Sequence, residues 1–147
     1  MIKKRSLHVI FGGLTICILF CFNSIYCSMK CSSKLKLNWG IKLPDGYIEI
    51  YEKKKEKNFI SVEGRYHIYE YDDISEVKEA LEWRAGKNED FEDSMLQSLE
   101  ELNISKRYFP DFTGNYKYYV AEKTNLSKLY IIFAEKFKII NIVEKFS

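Results

Sequence analysis

Gly64-Arg65-Tyr66-His67-Ile68-Tyr69-Glu70-Tyr71-Asp72-Asp73 is the stretch on which the fold turns. Arg65 to Tyr71 are dense in aromatic and β-branched residues and follow a glycine, the pattern of a strand leaving a turn. Side chains alternate across a strand, so Tyr66, Ile68 and Glu70 share one side, and Arg65, His67, Tyr69 and Tyr71 the other. Asp72-Asp73 then open a helix. This stretch therefore joins a group of strands before it to a helical segment after it.

Toward the N-terminus, Leu43-Pro44-Asp45-Gly46 is a turn, with Pro presetting φ at its second position and Gly closing at the fourth. Strands are predicted at Tyr47 to Glu52 and Asn58 to Val62, linked by the charged loop Lys53 to Lys57 and by Glu63-Gly64. Links this short favour an antiparallel meander. Toward the C-terminus, Asp73-Ile74-Ser75-Glu76 reads as a capping box, with Ile74, Val77, Leu81 and Ala85 as the apolar stripe of a helix that stops near Gly86. Asn88 or Asp90 opens a second helix, in which Phe91, Met95, Leu99 and Leu102 recur at helical spacing. After Phe109-Pro110-Asp111 strands return at Asn115 to Glu122, Lys128 to Glu135 and Lys136 to Glu144, the last two joined by a tight link at Glu135-Lys136. The order β-β-β-α-α-β-β-β predicts an α+β domain: an antiparallel sheet from two three-stranded meanders, with a helix pair on one face.

The first residues read as an export segment. Lys3, Lys4 and Arg5 precede a run without formal charge, Ser6 to Met29, whose strongly apolar part is Val9 to Phe22. That length suits a signal-peptide core of about 7 to 15 residues and falls short of the roughly 17 of a comfortable span. Residues 1–27 are expected to be a signal peptide cleaved before Ser28 or an uncleaved signal anchor, residues 28–37 a flexible stem, and residues 38–147 one α+β domain. The basic end stays in the cytoplasm and the remainder lies outside, secreted or held at the outer face of the membrane. All four cysteines, Cys17, Cys21, Cys27 and Cys31, fall in this N-terminal part, so the domain has no disulfide. Lipidation at Cys27 or Cys21 is a minor alternative, because Tyr26 and Phe20 stand where a lipoprotein signal has a small residue.

Without Lys3, Lys4 and Arg5 the 23 basic residues fall to 20 against 21 acidic ones, a net of −1. That balance, with no reader motif, points away from nucleic acid. Asp72 to Glu101 holds 11 acids against 3 bases, whereas the strand segments on both sides are net basic. Glu76, Glu79, Glu82, Glu89 and Glu92 are the candidate acidic face for a cationic partner, and the basic edge and loops of the sheet suit an anionic envelope surface. Amphipathic helices also need solvated outer faces, which accounts for the same charges more plainly.

Catalytic machinery is sparse. The domain contains one histidine, His67, and no Gly-x-Ser-x-Gly elbow, phosphate-binding glycine loop or metal-ligand spacing, so no catalytic residue, metal or cofactor is assigned. The best candidate ligand or partner surface is Arg65, His67, Tyr69 and Tyr71, which bring a cation, hydrogen-bond donors and aromatic faces to one side of a strand. The same row also suits an ordinary half-exposed strand, its tyrosines packing on neighbours such as Tyr51 or Tyr119. Lys53-Lys54-Lys55 with Lys57 reads as a solvated hairpin tip. Trp83 sits off the main helical stripe.

Leu43-Pro44-Asp45-Gly46-Tyr47, Gly64-Arg65-Tyr66-His67-Ile68-Tyr69 and the capped helix carrying Trp83 together resemble small exported or membrane-anchored, lipoprotein-like proteins of unassigned function from low-GC Gram-positive bacteria. The resemblance implies an extracytoplasmic α+β module and transfers no catalytic residue. The expected function is a non-enzymatic binding module of the cell envelope, its partner a protein or another envelope component. Two alternatives stand beside it: a small envelope hydrolase using carboxylates and His67, and an immunity or inhibitor protein with an acidic helical face.

Overall fold

The computed structural model describes residues 31–56 and 63–147. The expected signal segment, the candidate lipidation sites Cys27 and Cys21, and the strand expected at Asn58 to Val62 lie outside them. The chain divides into two units, one ending at Lys42 and one spanning Leu43–Ser147. In the first, the segment expected to be a flexible stem carries a helix, α1 (Cys31–Trp39), which stops where Gly40 takes φ +71 and bonds the Lys36 carbonyl at 3.0 Å.

The second unit is α+β, with a six-stranded antiparallel sheet. Its strands are β1 (Tyr47–Lys55), β2 (Glu63–Tyr71), β3 (Arg84–Ala85), β4 (Lys117–Glu122), β5 (Lys128–Ala134) and β6 (Ile139–Phe146), ordered β1-β2-β6-β5-β4-β3. Helices α2 (Ser75–Glu79) and α3 (Glu89–Glu101) interrupt the strand series. The C-terminal meander β4-β5-β6 forms as expected, and β2 pairs with β6 from Glu63↔Phe146 to Glu70↔Ile139, making one sheet of the two halves.

The apolar stripe of α3 sits where periodicity predicts it. Phe91, Met95, Leu99 and Leu102 are buried in one cluster with Tyr66, Ile68, Tyr118, Tyr130, Ile132 and Val143. Asn88 caps α3, its side-chain oxygen accepting from the Phe91 N–H at 2.8 Å, one of the first-turn donors a helix leaves unpaired. Inside the cluster Asn141 donates to the Tyr66 hydroxyl at 2.8 Å, and that hydroxyl donates to the Tyr108 carbonyl at 2.6 Å. Burial raises the Tyr66 phenol well above its ordinary pKa, against the opposing pull of Asn141.

Four local expectations are corrected. Glu63-Gly64 is not a turn: both residues lie within β2, and a Cβ on Gly64 would stand 2.6 Å from the Glu144 carbonyl oxygen and 2.7 Å from a Leu102 methyl. Glycine is needed there for close approach of β6 and the end of α3, not for a turn. Lys53-Lys54-Lys55 is strand rather than hairpin tip. Lys53 Nζ donates to the Asn103 carbonyl and Lys55 Nζ to the Glu101 carbonyl, each at 2.5 Å, so two of the three lysines serve the electronegative C-terminal end of α3.

The third correction concerns the first expected helix, which ends at Glu79. Its N-cap is Ile74, without a side-chain cap bond, and Asp73 instead accepts from the Ser75 N–H at 2.8 Å. Trp83 donates from Nε1 to the Val77 carbonyl at 2.9 Å and sets its ring 5.4 Å from that of Phe133. Arg84 and Ala85 then pair with Tyr118 and Lys117. The expected tight link at Glu135-Lys136 is a 3-10 turn, Glu135–Phe137, completed by Lys138 at φ +57.

Candidate functional site

Alternation along β2 puts Arg65, His67, Tyr69 and Tyr71 on one side, as the sequence implies, but that side is interior. His67 is 1% exposed, Tyr69 0% and Tyr71 1%, while Arg65 is half-buried. His67 meets Glu49 of β1, Nδ1 to Oε1 at 2.6 Å. Tyr69 stacks on Tyr47, not on Tyr51 or Tyr119, with centroids 4.1 Å apart, and the Tyr71 hydroxyl donates to the Pro44 carbonyl at 3.1 Å. Tyr51 packs on the opposite side, stacked on Tyr108 at 3.8 Å. Arg65 lies 3.8 Å from the fully buried Glu144 and 5.2 Å over the Phe146 ring. A buried carboxylate needs such a partner, since desolvation alone would cost several kcal/mol.

A histidine positioned by a carboxylate is one component of a general base. Here the imidazole is buried, and among the described residues it meets Glu49 and, 5.8 Å away, the Tyr69 ring. Its Nε2 has no hydrogen-bond partner among the described residues. An imidazole 1% exposed offers no route to a bulky substrate. Glu49 and Glu144, which complete this polar group, carry no local sequence signal; only strand register brings them to β2.

Of the acidic candidates, Glu76, Glu79, Glu82 and Glu89 are exposed, spread over α2, the segment after it and the first turn of α3. Glu92 is half-buried and accepts from the Tyr116 hydroxyl at 2.7 Å. Burial, reinforced by this bond, pushes the Tyr116 phenol up to about 12. Glu92 thus belongs to the packing of α3 on the sheet rather than to a free acidic face.

Two surface features have no counterpart among the sequence motifs. The outer edge of β1 pairs with no strand among the described residues. On it Ile48 and Ile50 are 63% and 47% exposed, and a register shift lies between Glu49 and Tyr51. At the opposite end of the strand order, a half-open cleft of about 920 Å³ lies among the end of β3, the start of β4 and the turn after β5. Ala85 to Lys87, Thr113 to Lys117 and Glu135 to Phe137 line it. Among the described residues no group of three or more His, Cys, Asp or Glu is placed to hold a metal ion, and no helix is long and apolar enough to cross a membrane. Comparisons with models of protein families, with curated proteins and with solved structures find no match to this chain.

Proposed function

We propose that this chain is a non-enzymatic binding module that works outside the cytoplasm, secreted or held at the outer face of the membrane by its N-terminal segment. Its partner is a protein of the cell envelope that adds an extended segment to the edge of β1. The observation that carries the reading is that edge: nine residues long, outermost in the sheet, with Ile48 and Ile50 largely in solvent. An unpaired strand edge offers a row of backbone donors and acceptors, and exposed apolar residues on it add affinity to strand addition. The register shift beside Ile50 and the exposed charges of Glu52 and Lys54 discourage indiscriminate pairing, so the edge selects its occupant. The uncharged run Ser6 to Met29 after three basic residues supports export.

Burial of His67 weighs against the hydrolase alternative, because the domain's one imidazole is closed to solvent. The immunity or inhibitor reading draws support from the exposure of Glu76, Glu79, Glu82 and Glu89, and implies an affinity that falls steeply with salt. The test of the main reading is photo-cross-linking in intact cells from a reactive residue placed at position 48 or 50 of the full chain. Trapping of one discrete partner, lost when Ile50→Lys is added to a probe at position 48, is the expected result. The reading is overturned if both positions trap nothing, or if a purified activity disappears on His67→Ala while the fold persists.

A further inference from the structure

The cleft at the β3 and β4 end of the sheet is basic in a region whose helices are acidic. Lys87 follows β3, Lys117 opens β4 and Lys136 lies in the turn after β5, so three separate segments bring lysines to one concavity. The carboxylate lining the cleft, Glu135, is already taken up: Lys117 reaches its Oε1 at 2.5 Å and Lys78 its Oε2 at 3.5 Å. The hydrogen bond from Lys117 and the positive field of both lysines hold Glu135 below the usual carboxylate range. Lys87 and Lys136 form no ion pair among the described residues, and the Lys136 ammonium sits 5.4 Å over the Phe137 ring, itself 50% exposed at the rim. Added Cβ atoms at Gly86 or Gly114 would meet nothing within 4 Å, so the cleft walls there are open.

We infer that this cleft is a binding site for a phosphate-type oxyanion, with Lys87 and Lys136 as its primary charges, Lys117, shared with Glu135, as a weaker third and Phe137 as an apolar rest for the body that carries the anion. Lysines bind phosphate as point charges and need no bidentate geometry, which suits a set drawn from three segments. A volume of about 920 Å³ falls in the range of ligand clefts. Glu135 tempers the field, so a multiply charged anion gains more than chloride does. This site lies at the other edge of the sheet from β1 and stands independently of strand addition there. The same chemistry fits a free phosphate ester or a phosphate headgroup at a membrane surface.

The test is a two-dimensional NMR titration of the full chain in nonionic detergent with inorganic phosphate, compared with chloride at equal ionic strength. Saturable shifts centred on Gly86, Lys87, Gly114, Asn115 and Lys136 are expected. K87E/K136E should weaken binding roughly tenfold or more, whereas Glu135→Gln, which removes a negative charge, should strengthen it several-fold. Lys106→Glu, outside the cleft, should leave it unchanged. Sedimentation with phosphatidylglycerol vesicles separates the sources: a loss of binding in K87E/K136E, with competition by phosphate, assigns a headgroup. Saturation by phosphate without any vesicle difference between wild type and K87E/K136E assigns a free ester. Shifts that chloride reproduces, or that persist in K87E/K136E, overturn the inference.

Discussion

Residues 73–86 and 89–102 both carry the spacing of an amphipathic helix, yet only the second forms one along its length. In α3 every member of the stripe, Phe91, Met95, Leu99 and Leu102, is buried against the sheet. In the earlier segment Val77 alone of its stripe is buried; Ile74 and Leu81 are half-buried and Ala85 is exposed. Trp83, off the stripe, is half-buried in the observed arrangement. Ending the helix at Glu79 lets the ring meet Phe133, gives the Val77 carbonyl the indole N–H, and lets Arg84 and Ala85 pair with β4. Periodicity predicts an element reliably when the large side chains agree with it; one large aromatic out of phase warns that tertiary packing will prevail.

Leu99→Ala tests this contrast most severely. Leu99 is fully buried at the centre of the α3 stripe, so the cavity should cost about 2 to 5 kcal/mol in chemical denaturation. The corresponding truncation Leu81→Ala, at a half-buried position, should cost clearly less; equal losses would mean the two stripes do equivalent work. Next in size is the cap. Asn88→Ala removes the acceptor of the Phe91 N–H and should cost about 1 kcal/mol, within a range of roughly 0.5 to 2. Urea denaturation reads this loss directly, and an unchanged midpoint would show that the cap bond does not hold the start of α3.

Trp83→Phe keeps much of the ring but deletes the donor to Val77, with an expected loss of about 0.5 to 1.5 kcal/mol. Helix content by far-ultraviolet circular dichroism should stay constant, because edge pairing of Arg84 and Ala85 remains. A rise in helicity would show that the indole bond, not the edge, terminates α2. The smallest effect concerns Glu135, the carboxylate that ties Lys78 of α2 to Lys117 of β4. Its folded pKa is lowered, so its contribution is present at neutral pH and is lost as pH falls from the ordinary carboxylate value through the folded one. Glu135→Gln should be less stable than wild type by at most about 1 kcal/mol at neutral pH. The two should converge as the pH falls from the ordinary carboxylate value through the lowered folded one, and a constant difference at all pH values would contradict this assignment.

The candidate site shows a similar division. The shared side of Arg65, His67, Tyr69 and Tyr71 is legible in the sequence, because strand alternation is a local property. Their burial is not, since polar-aromatic rows look alike on an exposed face and in an interior stocked with buried partners. Glu49 meets His67 across 18 positions of chain, and Glu144 meets Arg65 through the register of β2 with β6. No local spacing rule reaches either pair, and register alone makes them neighbours.

The α+β class, the C-terminal meander, the phase and cap of α3 and the two sides of β2 are all written in the chain itself. Each depends on side-chain periodicity or on a capping residue within a few positions. Tertiary packing, in contrast, makes Gly64 a point of close approach, turns Lys53 and Lys55 toward the end of α3, replaces the rest of α2 with β3, and gathers Lys87, Lys117 and Lys136 around one cleft. These outcomes depend on groups distant in the chain meeting at hydrogen-bonding or van der Waals range. Local propensity is worth tenths of a kcal/mol per residue, and burial of one large side chain a few kcal/mol, so where the two conflict packing prevails.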